Sequence, residues 1–287
     1  MSTESQTYDD SSAPASAQPA DEDTDTAEAE CPTLTAAVSV GRVQRFLDAI
    51  RTVNDEFQLK VTPDGLTGNV VNDSRTTMGS VHLAARACES YRATTGKITI
   101  QTGRLREVTR MSSNRDMMHL TLDGDSQTLD VEADGVECSL QMDESTQMPA
   151  VSELDEADHP SVCVLEGGEL KRIMKAAGHV ATEVDFRIEH TRERFVAEAN
   201  GDSDRLVAPR EAADVEELLV GAVPVASTFN HDYLRQIRRP IHKRTEVTLA
   251  LGTDSPLLVA FDIADGAGHV EYSIAPVVTT DDDEGDE

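Results

Sequence analysis

Two kinds of chemistry are open to this chain's charged residues, and their spacing favours one of them. Asp64, Asp73, Asp123 and Asp125 could hold Mg²⁺ for nuclease chemistry. With 54 acidic residues, however, chance groupings of this kind are expected, and solvated turn residues are the plainer reading. The histidines are scattered, and there is no glycine-rich phosphate loop or nucleophile elbow. Cys31, Cys88, Cys138 and Cys163 stand far apart with no CxxC pair, so they read as unpaired thiols of an intracellular protein. The sequence therefore predicts no catalytic site, no metal and no cofactor.

The cations are the better lead. Arg42, Arg45, Arg51, Arg104, Arg106, Arg110, Lys171, Arg172, Lys175, Arg235, Arg238 and Arg239 fall on or beside four helical stretches and make up 12 of the 25 Lys and Arg residues. Few acids share those stretches: Asp48, Glu107, Glu166, Glu169 and Asp232. In a chain with a formal charge of −29, positive charge gathered on four helices points to a surface facing phosphate. Solvated helix faces would give the same pattern.

The helices recur at regular places. Val40–Arg51 puts Val40, Val43, Phe46, Leu47 and Ile50 on one face, and further helices are read at Gly103–Met111, Glu166–Ala177 and Asn230–Arg239. The starts within each pair are about 63 residues apart, so the architecture reads as duplicated. Strands fill the remainder. The clearest are the alternating runs Glu246–Leu251, Leu257–Ile263 and His269–Ile274, separated by turns rich in Gly, Asp and Pro.

The predicted fold class is α+β, with two similar halves. Residues 1–32 form an acidic tail, 33–142 the first domain, 143–160 a linker, 161–278 the second domain and 279–287 a second acidic tail. The first 30 residues hold nine acids and no Lys or Arg, so they are expected to be disordered. No apolar run is long enough to span a membrane and the N-terminus is acidic, which predicts a cytoplasmic protein. Arg outnumbers Lys 20 to 5 on an acidic background, a composition suited to molar salt, where charges are screened within about 3 Å. An ordinary acidic protein from low salt would also fit it.

The ordered series of segments resembles a known family. "EVTLALGTDSPLLVAFDIADGAGHVEYSIAP" with the preceding "DYLRQI", "GSVHLAARACESY" and "VLEGGELKRIMKAAGHVATEVDFRI" resemble the archaeal and eukaryotic sliding clamp PCNA, from about residue 33 onward. The resemblance implies two clamp domains with antiparallel sheets outside and helices lining a channel. Three such subunits would close as a homotrimer around double-stranded DNA. They would tether DNA polymerase and other clamp-binding proteins after loading by a clamp loader.

It implies diffuse, sequence-independent contacts to DNA from Arg42, Arg45, Arg104, Arg106, Arg110, Lys171, Arg172, Lys175, Arg235, Arg238 and Arg239. Subunits would pair through Val136–Met142 of one and Arg194–Asn200 of the next, with Val136, Cys138, Leu140, Met142, Phe195, Ala197 and Ala199 at the interface. Partner proteins would dock on Met148, Val151, Leu154, Pro256, Ala275 and Pro276. Two departures bear on that docking site. Asn72, Thr76 and Thr77 make it polar, and Val277 and Val278 follow Ala275-Pro276 where the family usually has Lys or Arg. A specialised paralogue acting in a hetero-oligomer or in repair is the alternative function, and a Mg²⁺-dependent nuclease is a third.

Overall fold

The computed structural model describes residues 33–124, 126–142, 148 and 159–277. The first half runs β1 (Leu34–Ser39), α1 (Val40–Ile50), β2 (Glu56–Thr62), β3 (Gly65–Val71), β4 (Thr77–Ala84), β5 (Ser90–Ala93), β6 (Gly96–Gln101), α2 (Thr102–Met111), β7 (Met117–Asp123), β8 (Thr128–Ala133) and β9 (Val136–Gln141). The second half runs β10 (Ser161–Glu166), α3 (Gly167–Ala177), β11 (Glu183–Glu189), β12 (Arg194–Asn200), β13 (Arg205–Glu211), β14 (Glu217–Leu219), β15 (Val225–Asn230), α4 (His231–Ile237), β16 (Glu246–Leu251), β17 (Leu257–Ile263) and β18 (Gly268–Ile274). Each half is therefore strand, helix, five strands, helix, three strands.

The sheets repeat the same plan. The order β5-β1-β7-β8-β9 in the first half matches β14-β10-β16-β17-β18 in the second, and β4-β3-β2-β6 matches β13-β12-β11-β15. One joint connects the halves. β18 pairs antiparallel with β4 from Gly268↔Leu83 to Ile274↔Thr77, which makes one nine-stranded sheet of strands from both halves. The equivalents of these joined strands, β9 and β13, are left at the free edges of their own sheets.

Local chemistry fixes the helices onto the sheets. Val40, Val43, Phe46, Leu47 and Ile50 all turn inward. β3 passes so close beneath α1 that a Cβ on Gly68 would lie 2.5 Å from Ile50 Cδ1, which only a residue without a side chain permits. Tyr272 of β18 is fully buried, and its hydroxyl donates to the Ala49 carbonyl of α1 at 2.7 Å, tying a second-half strand to a first-half helix. Gly79, its register partner on β4, leaves room for that ring. The helices also pair: Gln44 donates to the Thr109 carbonyl at 2.9 Å, and the His231 ring meets the Met174 carbonyl at 2.8 Å.

Some elements differ from the sequence reading. α4 ends at Ile237, because Pro240 has no N–H to continue a helix and the chain turns at Arg238 and Arg239. Its start is capped by the Asn230 side chain, which accepts from the Asp232 N–H at 2.8 Å. β5 and β14 are short strands of four and three residues, and β5 went unread. Residues 1–32, the linker positions Val151 and Leu154, and 278–287 lie outside the described residues.

Candidate nucleic-acid interface

Elements from both halves bring cations to one groove of about 1400 Å³. Arg45 and Arg51 come from α1 and its end, Arg106 from α2, Lys171 from α3, and Arg239, Lys243 and Arg244 from the loop after α4. Asp48, Glu217, Glu246, Asp262 and Asp265 also line it, so the groove is mixed in charge. Beside it is a smaller pocket of about 360 Å³ bordered by Lys171, Arg235, Arg238 and Arg239. Burial depresses the Lys171 ammonium below the ordinary lysine value, and the neighbouring Arg238 and Lys243 add to this.

The helix cations predicted for DNA are not equivalent. Arg42 turns inward and donates to the Ala87 carbonyl at 2.5 Å. Arg172 is held by both Glu169 oxygens, at 2.9 and 2.7 Å, and Arg210 of β13 grips the same carboxylate. These guanidiniums, Arg172 first, hold Glu169 below the usual carboxylate range. Arg106 sits 3.2 Å from Asp48, Arg51 2.9 Å from Asp55 and Arg45 3.9 Å from Asp265. Arg104, Arg110 and Lys175 are exposed, and none of the three lines either cavity.

The sequence reading missed Lys243 and Arg244, which line the groove from a loop instead of a helix. The run Arg238-Arg239-Pro240-Ile241-His242-Lys243-Arg244 was the available signal. His269 lies in the same groove with Nδ1 2.8 Å from Asp262 and Nε2 3.5 Å from Glu271. Glu271 and then Asp262 push its pKa up to about 9 against a desolvation cost, so this ring is charged at neutral pH.

Among the described residues the sheet edges are β5, β6, β9, β13, β14 and β15, of which β9 and β13 are the counterparts of the strands that join the halves, and this corrects the expectation that Arg194–Asn200 is an edge. β12 lies between β11 and β13, with ladders on both sides, and Phe195, Ala197 and Ala199 are buried in the protomer's own core. β13 contains Pro209, a residue that a strand tolerates best at an edge. Val207 on it is exposed. On β9, Val136 is exposed and Cys138 half-buried, whereas Leu140 is buried, as is Met142 just beyond; these last two belong to the fold's core.

Of the predicted docking residues, Pro256, Ala275 and Pro276 lie together at the end of β18. Pro256 precedes Leu257, which pairs with Ile274, so it stands beside Ala275. The Ala275 N–H donates to the Thr76 carbonyl at 2.8 Å and the Val277 N–H to the Thr228 carbonyl at 2.7 Å. The Pro256 carbonyl oxygen lies 2.8 Å from Nε2 of the His159 ring, from which it accepts when that nitrogen carries its proton. Asn72 organises the adjoining turn by accepting from the Thr76 and Thr77 N–H groups at 2.9 and 3.1 Å. Met148 is half-buried, with Val151 and Leu154 outside the described residues.

The acids considered for Mg²⁺ do not assemble. Among the described residues no three His, Cys, Asp or Glu side chains are grouped to hold a metal ion. Asp73 accepts from Asn54 at 3.2 Å and Asp123 from Ser126 at 3.0 Å, both ordinary turn contacts, while Asp125 is outside the described residues. Cys88, Cys138 and Cys163 are free thiols, and burial raises the pKa of Cys88 and Cys163. No helix among the described residues is long and apolar enough to cross a membrane.

Duplicated α+β halves fused through one sheet, each with two helices packed on it, define a sliding-clamp protomer. Residues 153–277 match the model of the proliferating cell nuclear antigen C-terminal domain. The chain is 30% identical over 246 residues to the DNA polymerase sliding clamp of Natronomonas pharaonis, covering 86% of this chain and 99% of that one. It is also 30% identical over 244 residues to that of Halobacterium salinarum, covering 84% and 97%. The PCNA of A. fulgidus, solved with the C-terminal region of FEN-1 bound, superposes with a TM-score of 0.79 at 24% identity over 86% of this chain and all of the other. That of Thermococcus kodakaraensis gives 0.74 at 21% identity, over 85% and 100%. The chain belongs to the PCNA family of DNA polymerase sliding clamps.

Proposed function

We propose that this protein is a non-enzymatic processivity clamp that encircles duplex DNA and tethers DNA polymerase and other clamp-binding proteins to it. One observation carries the reading. The halves are joined by β18 and β4, and the structurally equivalent β9 and β13 are unpaired edges, so the intramolecular joint can be repeated between protomers. A β9-to-β13 contact is heterologous, and repeated head to tail it closes a ring when the rotation permits. Three copies give six equivalent domains, the homotrimer of the family. A loader that opens one joint would place the ring on DNA in the cytoplasm.

Topology answers the salt problem. Phosphate contacts weaken steeply as salt rises, because released counterions no longer favour binding. A closed ring stays on its duplex without strong contacts and slides. The docking site for partners is the region of Pro256, Ala275 and Pro276, with Met148, Val151 and Leu154 of the linker.

The test is retention on circular against linearised DNA in molar salt after loading. A clamp stays on the circle and runs off free ends, whereas equal loss from both forms rejects the ring. A second reading, a specialised paralogue, is favoured by the polar Asn72–Thr77 turn beside Ala275 and by Val277 in place of a basic residue. A chain that forms rings only when mixed with another clamp would establish it.

A further inference from the structure

Five large apolar side chains stand exposed among the described residues: Met111, Val136, Val207, Leu219 and Val223. Val136 and Val207 lie on the edges proposed to meet between protomers, and Met111 ends α2 on its own. Leu219 and Val223, 56% and 59% exposed, lie close together on one segment at a free edge of the nine-stranded sheet. Single exposed apolar residues are ordinary, but a pair set on a larger apolar surface marks a contact site. The corresponding edge of the first half is guarded. β5 exposes Ser90 and Arg92, and a charge at an edge discourages docking.

Strand register extends the patch. Val162 of β10 faces Leu219 on one flank and Ala250 of β16 on the other; Ala250 faces Leu258 of β17, Leu258 faces Ser273 of β18, and Ser273 faces Met78 of β4. Residues directly opposite in an antiparallel ladder share a face, so these side chains form one strip with Ser273 its only polar member. Ala250 and Met78 are buried, and Val162, Leu258 and Ser273 are half-buried. The steps between these strands make the strip about 24 Å long, the reach of roughly seven residues of extended chain. Its Met78 end is the docking region, since Pro256 lies just before Leu258 and Ala275 just after Ser273. That end is polar, through the turn that Asn72 holds with Thr76 and Thr77. The exposed apolar surface is at the Leu219 end, flanked by the exposed carboxylates of Glu216 and Glu217.

We infer that the partner-docking surface continues along this strip to Leu219 and Val223. It takes an extended segment of a clamp-binding protein, with apolar side chains on one face and Lys or Arg at the end that reaches Glu216 and Glu217. The inference rests on the clamp reading and names the partner class of its docking site. Continuity with the Pro256 and Ala275 region and charge complementarity at Glu216 and Glu217 identify the occupant. Molar salt confines ionic attraction to within about 3 Å, while apolar burial keeps its strength. A partner of a protein suited to brine therefore gains most of its hold from apolar contact, and the polar turn at the Met78 end leaves that contact to β14 and the segment after it.

The test selects peptides with about seven random positions from a phage-displayed library on the full chain in molar KCl. Labelled copies of the selected peptides are then titrated by anisotropy against wild type and against variants whose circular dichroism matches it. Selected peptides should alternate apolar residues and carry Lys or Arg at one end. Covering the exposed parts of the two side chains is worth at least about tenfold in affinity, so Leu219→Asp/Val223→Asp should lose that much or more, and Leu219→Ile should keep it. Glu216→Lys/Glu217→Lys should weaken binding about twofold to fivefold. Selected peptides that are acidic, or that bind the Leu219→Asp/Val223→Asp chain as tightly as wild type, overturn the inference. So does a library that yields no binder, the result expected if the chain's own linker covers this face. A wild type whose mass by light scattering exceeds three protomers until Leu219 and Val223 are replaced also overturns it, because the occupant is then a second copy. Retention on circular DNA is scored separately. A retained ring that fails these measurements leaves the clamp standing, while loss from the circle with Leu219-dependent peptide binding removes the clamp reading and keeps the surface.

Discussion

If β13 is one side of the contact between protomers, a charge on its exposed apolar residue should break the ring and leave the protomer folded. Val207 on β13 is 44% exposed and Val136 on β9 is 38% exposed. Burying a valine side chain completely is worth about 1.5–3 kcal/mol, so covering the exposed fraction contributes ~0.6–1.3 kcal/mol for each. Val207→Asp forfeits its share and asks a carboxylate to leave water, which costs at least about 1 kcal/mol more. The joint is then weakened by roughly 2 kcal/mol, a more than tenfold shift in its dissociation constant.

Light scattering of the full chain in molar KCl across a concentration series reads this directly. Wild type should sit near three protomer masses, and Val207→Asp should fall towards one at concentrations where wild type is intact. Leu219→Asp is the control. Leu219 is 56% exposed at another sheet edge, on β14, and its substitution should leave the assembly as it was. The reasoning fails if Val207→Asp keeps the wild-type mass throughout, or if Leu219→Asp dissociates the ring. Phe195 would be a poor probe, since it lies in the protomer's core and its loss would unfold the chain first.

Other predictions follow from the interior. Tyr272→Phe removes the buried hydrogen bond to Ala49 and should cost about 1–1.5 kcal/mol in denaturant unfolding, and an unchanged midpoint would show the bond to be idle. Gly68→Ala sets a methyl 2.5 Å from Ile50 Cδ1 and should cost about 1–3 kcal/mol, with Ile50→Val recovering part of it. His269 has a folded pKa raised from 6.5 to about 9, so its ion pairs stabilise the fold fully below 6.5 and cease to do so as pH rises through 9. Because the side chain is 44% exposed, solvent screening limits this to less than about 1 kcal/mol. Melting midpoints of wild type should fall over that window, and those of His269→Gln should not.

Much of the fold was legible because burial leaves period-two and helical patterns in the chain. β16 and β17 were bounded to the residue, and α1 showed all of its buried face except Ala49. β5 was not, since the alternation of Ser90-Tyr91-Arg92-Ala93 runs for only four residues, too few to set an edge strand apart from a turn. The error over β12 has a physical origin. Its Phe195, Ala197 and Ala199 share one face of a strand buried on both, and a side-chain pattern says nothing about whether each flank has a neighbour. The candidate site was legible as a census of cations by helix. Which of them are spoken for was not: the partners of Arg45 and Arg42 are Asp265 and the Ala87 carbonyl, far along the chain, and Lys243 and Arg244 joined the groove from a loop.

The seam between the halves has a mechanical consequence. Seven residue pairs from Gly268↔Leu83 to Ile274↔Thr77 stitch β18 to β4, and the Tyr272 hydroxyl bolts the seam to α1. Bending a protomer open at its waist would unzip that stitching and expose a buried aromatic to water. Any gate through which a duplex threads must therefore lie where one protomer hands over to the next, with each protomer swinging as a stiff lever.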